Sequence, residues 1–177
     1  MAGTGDNGDR CGGPVGVEER WSPERIQELR DLYAPLRRFA AVIGRYDVDP
    51  DDLVQDAFAK VLRRDPGDIL ELGPYLRRVI VNGANDERRR MSRTNGALHR
   101  FGNGSGSDSP DQYPSDLEDL MRLQPAVRAL LYLVEIEGEP VADAAALVGM
   151  SHSGARVALM RARRRLRGDL TTEANDG

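Results

Sequence analysis

The sequence predicts an all-α protein: two small helical domains joined by a flexible linker. Three observations carry that expectation. Apolar residues recur at steps of three and four in several separate stretches, and none alternates with the period of two that a half-buried strand requires. Hydrophobic residues make up 40% of the 177 and aromatics only 5%, which suits modest helical cores better than one large core. Finally, Thr94–Ser115 is rich in glycine, serine and proline, the composition of a flexible tether. The expected boundaries are a disordered tail over 1–20, a first domain over 21–93, an acidic linker over 94–115, a second domain over 116–170 and a frayed end over 171–177.

The elements follow in order. Ser22-Pro23-Glu24 is a helix start, with an N-cap hydroxyl before a first-position proline. Ile26, Leu29, Tyr33, Leu36, Ala40 and Ile43 then trace one face of a long helix, which Pro35 is expected to kink or split. Asp47–Asp52 has the look of a calcium loop, but its sixth position is Asp52 where glycine is needed and its twelfth is Phe58 where glutamate is needed. These acids instead favour the positive end of a helix over Asp51–Arg64. Leu53, Val54, Ala57, Phe58, Val61 and Leu62 face inward there, and Asp52, Gln55, Asp56, Ala59 and Lys60 outward.

Pro66-Gly67 and Gly73-Pro74 mark a loop, and a helix over Pro74–Ser92 follows. Its buried side is Leu76, Val79, Ile80 and Gly83; Arg78, Asn82, Asn85 and Arg89 share the opposite side. Beyond the linker, Leu117, Leu120 and Met121, then Val127, Leu130, Leu131 and Val134, form helices leading to Gly138 and Pro140.

Val141–Arg167 is the most informative stretch. A short helix with Val141, Ala144, Ala145 and Val148 ends at Gly149, suited to a left-handed C-cap. Ser151 caps the next helix, whose seam is Ala155, Leu159, Ala162 and Leu166. Arg156, Met160, Arg163 and Arg167 recur on another face, and Arg161, Arg164 and Arg165 widen it. Two helices joined by a tight turn, the second rich in arginine, describe a DNA-reading helix-turn-helix. A merely solvated face would mix its charges, since like charges three or four apart destabilise a helix. Ser151–Arg167 holds six arginines and no carboxylate.

The formal net charge of −4 argues superficially against nucleic acid, but its distribution matters more. Tyr75–Arg100 carries seven arginines against Asp86 and Glu87, whereas Tyr46–Leu72 carries eight carboxylates against Lys60, Arg63 and Arg64. Alternating blocks imply that some faces touch DNA and others touch protein. Arginine and asparagine on the Pro74–Ser92 helix are side chains that read base edges. No catalytic or metal constellation emerges: Cys11 is alone, and His99 and His152 lack partners at ligand spacing. The sequence therefore predicts a non-enzyme without cofactor or metal. With no apolar run long enough to span a bilayer and no export pattern, it also predicts a cytoplasmic protein with no membrane partner.

These stretches resemble a known family. DPDDLVQDAFAKVLRR looks like the core-binding helix in the second region of bacterial sigma factors of the extracytoplasmic-function branch. PYLRRVIVNGANDERRR is similar to that branch's minus-ten-reading helix, and LQPAVRALLYLVEIEGEPVADAAALVGMSHSGARVALMRARRRLR resembles its fourth region. The resemblance implies a transcription-initiation subunit that binds core RNA polymerase. It places Asp52, Leu53, Gln55, Asp56 and Phe58 on the clamp of the β′ subunit. Arg78, Asn82, Asn85, Arg88 and Arg89 would face the minus-ten element of promoter DNA, and Ser153, Arg156, Met160, Arg161, Arg163 and Arg164 the minus-thirty-five element. The linker would thread the polymerase channel, and an anti-sigma factor that covers these surfaces is the family's common regulator.

Two departures stand out. The minus-ten helix offers Tyr75 but no tryptophan, and a stacking residue contributes about 1–3 kcal/mol per base, so strand opening would be weak or would lean on the Asp65–Gly73 loop. In the fourth region, Ser153, Gly154, Ala155, Val157 and Ala158 replace a more usual Gly-Thr-Val-Lys-Ser-Arg run. The competing readings are a stand-alone helix-turn-helix regulator that needs no polymerase, and an adaptor that binds protein but no longer opens DNA.

Overall fold

A computed structural model describes the backbone of residues 20–101 and 115–173 and the side chains of 20–93 and 118–167. The expected tails over 1–19 and 174–177, Cys11, and linker residues 102–114 lie outside this set. Every regular element among the described residues is helical.

Helix α1 spans Pro23–Ile43; the Ser22 hydroxyl accepts from the Arg25 amide at 3.3 Å and Pro23 opens the first turn. Of the kink or split expected at Pro35, the split does not occur. The carbonyl that Pro35 leaves without an amide belongs to Asp31, which is exposed to water, while buried Leu29, Leu36, Phe39, Ala40 and Ile43 hold the turns on either side. Gly44 ends the helix, donating to the Ala40 carbonyl at 2.7 Å. A Cβ there would sit 2.9 Å from both that oxygen and a Leu53 methyl, so only glycine fits.

Helix α2 spans Pro50–Leu62, capped by Asp49, whose carboxylate accepts from the Asp51 amide at 2.9 Å. Asp51 in turn accepts from Tyr33 and Arg37, each at 2.8 Å, tying α2 to α1. The following loop is a packed corner. Asp65 caps a single 3-10 turn over Pro66–Asp68, Arg25 donates to the Pro66 and Ile69 carbonyls, and Ile69 and Leu72 are buried. Helix α3 runs over Leu72–Phe101, starting earlier and ending later than expected and so taking in Thr94–Phe101 of the stretch read as linker.

The second half comprises α4 (Ser115–Arg122), α5 (Pro125–Leu131) continuing into a π-helical turn over Tyr132–Ile136, α6 (Val141–Val148) and α7 (His152–Glu173). The α7 helix thus extends through residues 171–173, expected to fray. Gly149 ends α6 in the left-handed conformation, φ 74°, as its position in the sequence predicts. Ala155, Leu159 and Ala162 are buried and Leu166 packs against them.

The two helical units that the sequence predicts also pack against each other. Helix α5 packs on α1 and α3, α6 packs on α3, and the buried residues of both halves make one continuous cluster. The reason lies in residues with no role inside either half. On α3, the register Arg77, Val81, Ala84, Arg88 advances by four, three and four. Arg77 pairs with Glu137 at 2.9 Å, and Arg88 and Ala84 line a cavity shared with Pro125 and Arg128. Val81 and Ala84, absent from the expected buried side, are buried because this stripe meets the second half. Phe39 and Tyr132 meet edge to face at 5.5 Å across the same boundary.

Candidate nucleic-acid interface

The turn between α6 and α7 is fixed by local chemistry. Gly149 donates back to the α6 carbonyls, and the Ser151 hydroxyl accepts from the Gly154 amide at 3.1 Å, so α7 leaves the turn at a defined angle. Because Ala155, Leu159 and Ala162 fill the seam, Ser153, Arg156, Met160, Arg161, Arg163 and Arg164 all remain exposed, with Met160 at 61%. They are not equivalent. Arg163 is held by Glu135 of the π-helical turn, with its Nε 2.8 Å from a carboxylate oxygen. Arg165 turns inward to Asp119 at 3.4 Å. The outward side of α7 stays cationic and the inward side is neutralised.

On α3, Arg78, Asn82, Arg88 and Arg89 are exposed and Asn85 is half-buried. Arg89 lies 3.7 Å from Asp86, one turn back, in an exposed pair of little energetic weight. Arg78 borders a groove of about 500 Å³ between the Asp68–Glu71 corner and α6. Arg88 sits on the stripe facing the second half, apart from Asn82. Tyr75 is partly buried with Arg64 5.7 Å above its ring, which leaves its face occupied by a cation. Leu70, 92% exposed on the corner before α3, is the bare apolar side chain next to this helix.

The acidic helix α2 divides as its periodicity predicts. Asp52, Gln55 and Asp56 are exposed, while Leu53 and Phe58 are half-buried, Phe58 meeting Tyr33 edge to face at 6.2 Å. The face α2 offers a partner is therefore carboxylate and amide, with only the edges of Leu53 and Phe58.

Two buried polar residues escaped sequence reading. Asp119, 6% exposed, accepts from Arg122 and Arg165 and joins α4 to α7. Arg128, 4% exposed, donates from one terminal nitrogen to the Met121 and Leu123 carbonyls, each at 3.0 Å. Its other terminal nitrogen donates to the Ile43 and Gly44 carbonyls at the end of α1, the latter at 2.9 Å. Its Nε has no hydrogen-bond partner. Burial, and then the nearby Arg88 charge, lower its pKa to about 10. An arginine inside an apolar helical repeat looks like a solvated residue; only the approach of α1 makes it a buried one.

Residues 27–94 match the Sigma-70 region 2 family and residues 120–166 the Sigma-70, region 4 family, in that order. Two helical units, one ending in a helix-turn-helix, together define a sigma-70-type initiation subunit. The chain belongs to the sigma-70 family as an extracytoplasmic-function sigma factor of RNA polymerase, and a stand-alone regulator is not favoured. Among solved structures it is similar to the sigma factor RpoE from Bartonella quintana, determined in complex with the anti-sigma factor NepR. Identity there is 25% and TM-score 0.67, over 85% of this chain and 98% of that one. It shares its fold with CnrH, determined in complex with the cytosolic domain of CnrY, at 24% identity and TM-score 0.56, over 82% of this chain and 86% of that one. No curated protein matches significantly in sequence. Among the described residues no helix is long and apolar enough to cross a membrane.

Proposed function

We propose that this sigma factor confers promoter choice through three faces. Residues 21–93 form the unit that docks on the clamp of the β′ subunit with the exposed side of α2, through Asp52, Gln55 and Asp56 and the edges of Leu53 and Phe58. The same unit reads the minus-ten element with Arg78, Asn82, Asn85, Arg88 and Arg89 of α3, capturing bases unstacked by strand opening. Residues 116–170 form the unit that reads the minus-thirty-five element in the major groove, with Ser153, Arg156, Met160, Arg161, Arg163 and Arg164 of α7. Residues 94–115 connect the two through the polymerase channel. The observation that carries this reading is the outward side of α7 over residues 152–167, exposed, cationic and without a carboxylate in that stretch.

The chemistry is binding: arginines neutralise phosphates, asparagine and arginine pair with base edges, and the polymerase supplies catalysis. The chain itself is read as a cytoplasmic, cofactor-free non-enzyme. Because the similar RpoE was determined with an anti-sigma factor, the reading includes an anti-sigma partner here as well. The test is reconstitution with core polymerase on promoter-bearing DNA. Promoter-specific transcripts support the proposal, a sharp footprint without polymerase refutes it in favour of a lone regulator, and polymerase binding without transcripts refutes it in favour of an adaptor.

A further inference from the structure

The cationic side of α7 carries two apolar side chains in its middle. Val157 is 42% exposed and Met160 61%. The other exposed large apolar side chains among the described residues, Tyr33, Tyr46, Leu70 and Ile136, lie singly on other segments. The helical period fixes where the α7 pair points. At about 100° per residue, Ala155, Leu159, Ala162 and Leu166 stack on the inward seam. Ser153, Val157, Met160 and Arg164, stepping by four, three and four, lie diametrically opposite. They form the midline of the surface that α7 presents outward. Arg156 flanks this midline on one side and Arg161 on the other. Arg163 and Arg165 are held by Glu135 and Asp119, but Arg156, Arg161 and Arg164 have no carboxylate partner among the described residues.

The outward midline of a surface helix is ordinarily polar. Here it is polar at both ends, apolar between them, and flanked by cations. The major groove of DNA offers the complement: phosphates at its rims, base edges on its floor, and one apolar group on that floor, the C5-methyl of thymine. Resting on the minus-thirty-five reading above, we propose that Val157 and Met160 are specificity-determining residues that read thymine methyl groups in that element. Valine has no hydrogen-bonding side-chain atom and the methionine sulfur is a weak acceptor. The pair therefore selects by apolar contact, while the flanking arginines supply attraction to phosphate that is blind to sequence. The two Cβ atoms are one helical turn apart, about 5–6 Å, within reach of methyls on neighbouring base pairs. Removing one methyl from water against either side chain favours binding by about 4-fold.

The test uses the full chain assembled with core polymerase. The complex selects duplexes from a randomised pool, and thymine should be enriched at neighbouring positions of the upstream block. Replacing one such thymine with uracil deletes the methyl and leaves every hydrogen-bonding edge unchanged, so affinity should fall about 4-fold at each contacted position. In Val157→Ala that uracil loss should vanish at one position and persist at its neighbour; in Met160→Ala the pattern should reverse. Both substitutions are exposed and introduce the best helix former, so each variant should unfold at the parent's Tm. Uracil without effect at every enriched position, or a uracil loss that persists in both variants, overturns methyl reading while promoter choice stands. A loss that persists in one variant removes that side chain from the proposal. Variants that assemble more weakly with core polymerase yet bind thymine and uracil duplexes in the parent's ratio overturn it in favour of a protein-docking surface. If no sequence is enriched at all, the promoter-reading proposal falls and methyl reading falls with it.

Discussion

Arg163 offers the sharpest test of how α7 meets DNA, because one carboxylate already contests it. Its guanidinium is bound to Glu135 through two nitrogens, and the side chains are 44% and 46% exposed. A bridge this open contributes about 0.2–1 kcal/mol, and a phosphate contact by Arg163 must break it. Replacing Glu135 with glutamine removes that competitor, so binding should tighten by the same energy, a factor of about 1.4–5. The assay is equilibrium binding of the polymerase complex to promoter DNA across a salt series. Arg163→Ala should weaken binding to all promoters alike and lower the slope of log affinity against log salt by about 0.9. In that background Glu135→Gln should have no further effect. If it still tightens binding by the full factor, Glu135 acts as a distant repulsive charge and Arg163 does not touch phosphate. An unchanged salt slope in Arg163→Ala would refute the contact directly.

Other outcomes follow from the same geometry. Gly44→Ala places a methyl 2.9 Å from a carbonyl that cannot yield, so it should cost about 1–3 kcal/mol, or roughly 2–4 °C of Tm per kcal/mol, read by thermal unfolding. Arg156→Ala should weaken binding uniformly if Arg156 contacts phosphate, or concentrate its loss at one promoter position if it reads a base, which affinity measured over a set of single-base promoter variants distinguishes. Leu70→Ser should slow strand opening, followed by permanganate reactivity of the unpaired bases, while leaving unfolding stability within about 0.5 kcal/mol of the parent, since an exposed side chain contributes little to the core. Asp47 has its carboxyl held below the usual range by hydrogen bonds from Arg45 at 2.6 and 2.7 Å. A lowered folded-state pKa stabilises above the ordinary value of 3.8 and is lost as pH falls through the lowered one. Asp47→Asn should therefore lose a little stability near neutrality and show a shallower acid limb in denaturant titrations at stepped pH.

What could be read from the chain alone was whatever local rules decide. Ser22, Gly149 and Ser151 announce helix ends because a hydroxyl or a missing Cβ acts on neighbours a few residues away. The α7 seam and its exposed arginines follow from the helical period, and the two motif blocks in order sufficed to name the family. Pro35 does not split α1, because packing of the turns on both sides outweighs the one backbone hydrogen bond it removes. The role of Arg128, the burial of Val81 and the closing of one half on the other were decided only in the folded chain. The polar contacts among them join residues at least 60 apart in sequence, Arg128 with Gly44 and Arg77 with Glu137. A side chain carries no local mark of a distant carbonyl that will remove it from water; that proximity is created by the packing of α5 on α1 and α3 and of α6 on α3.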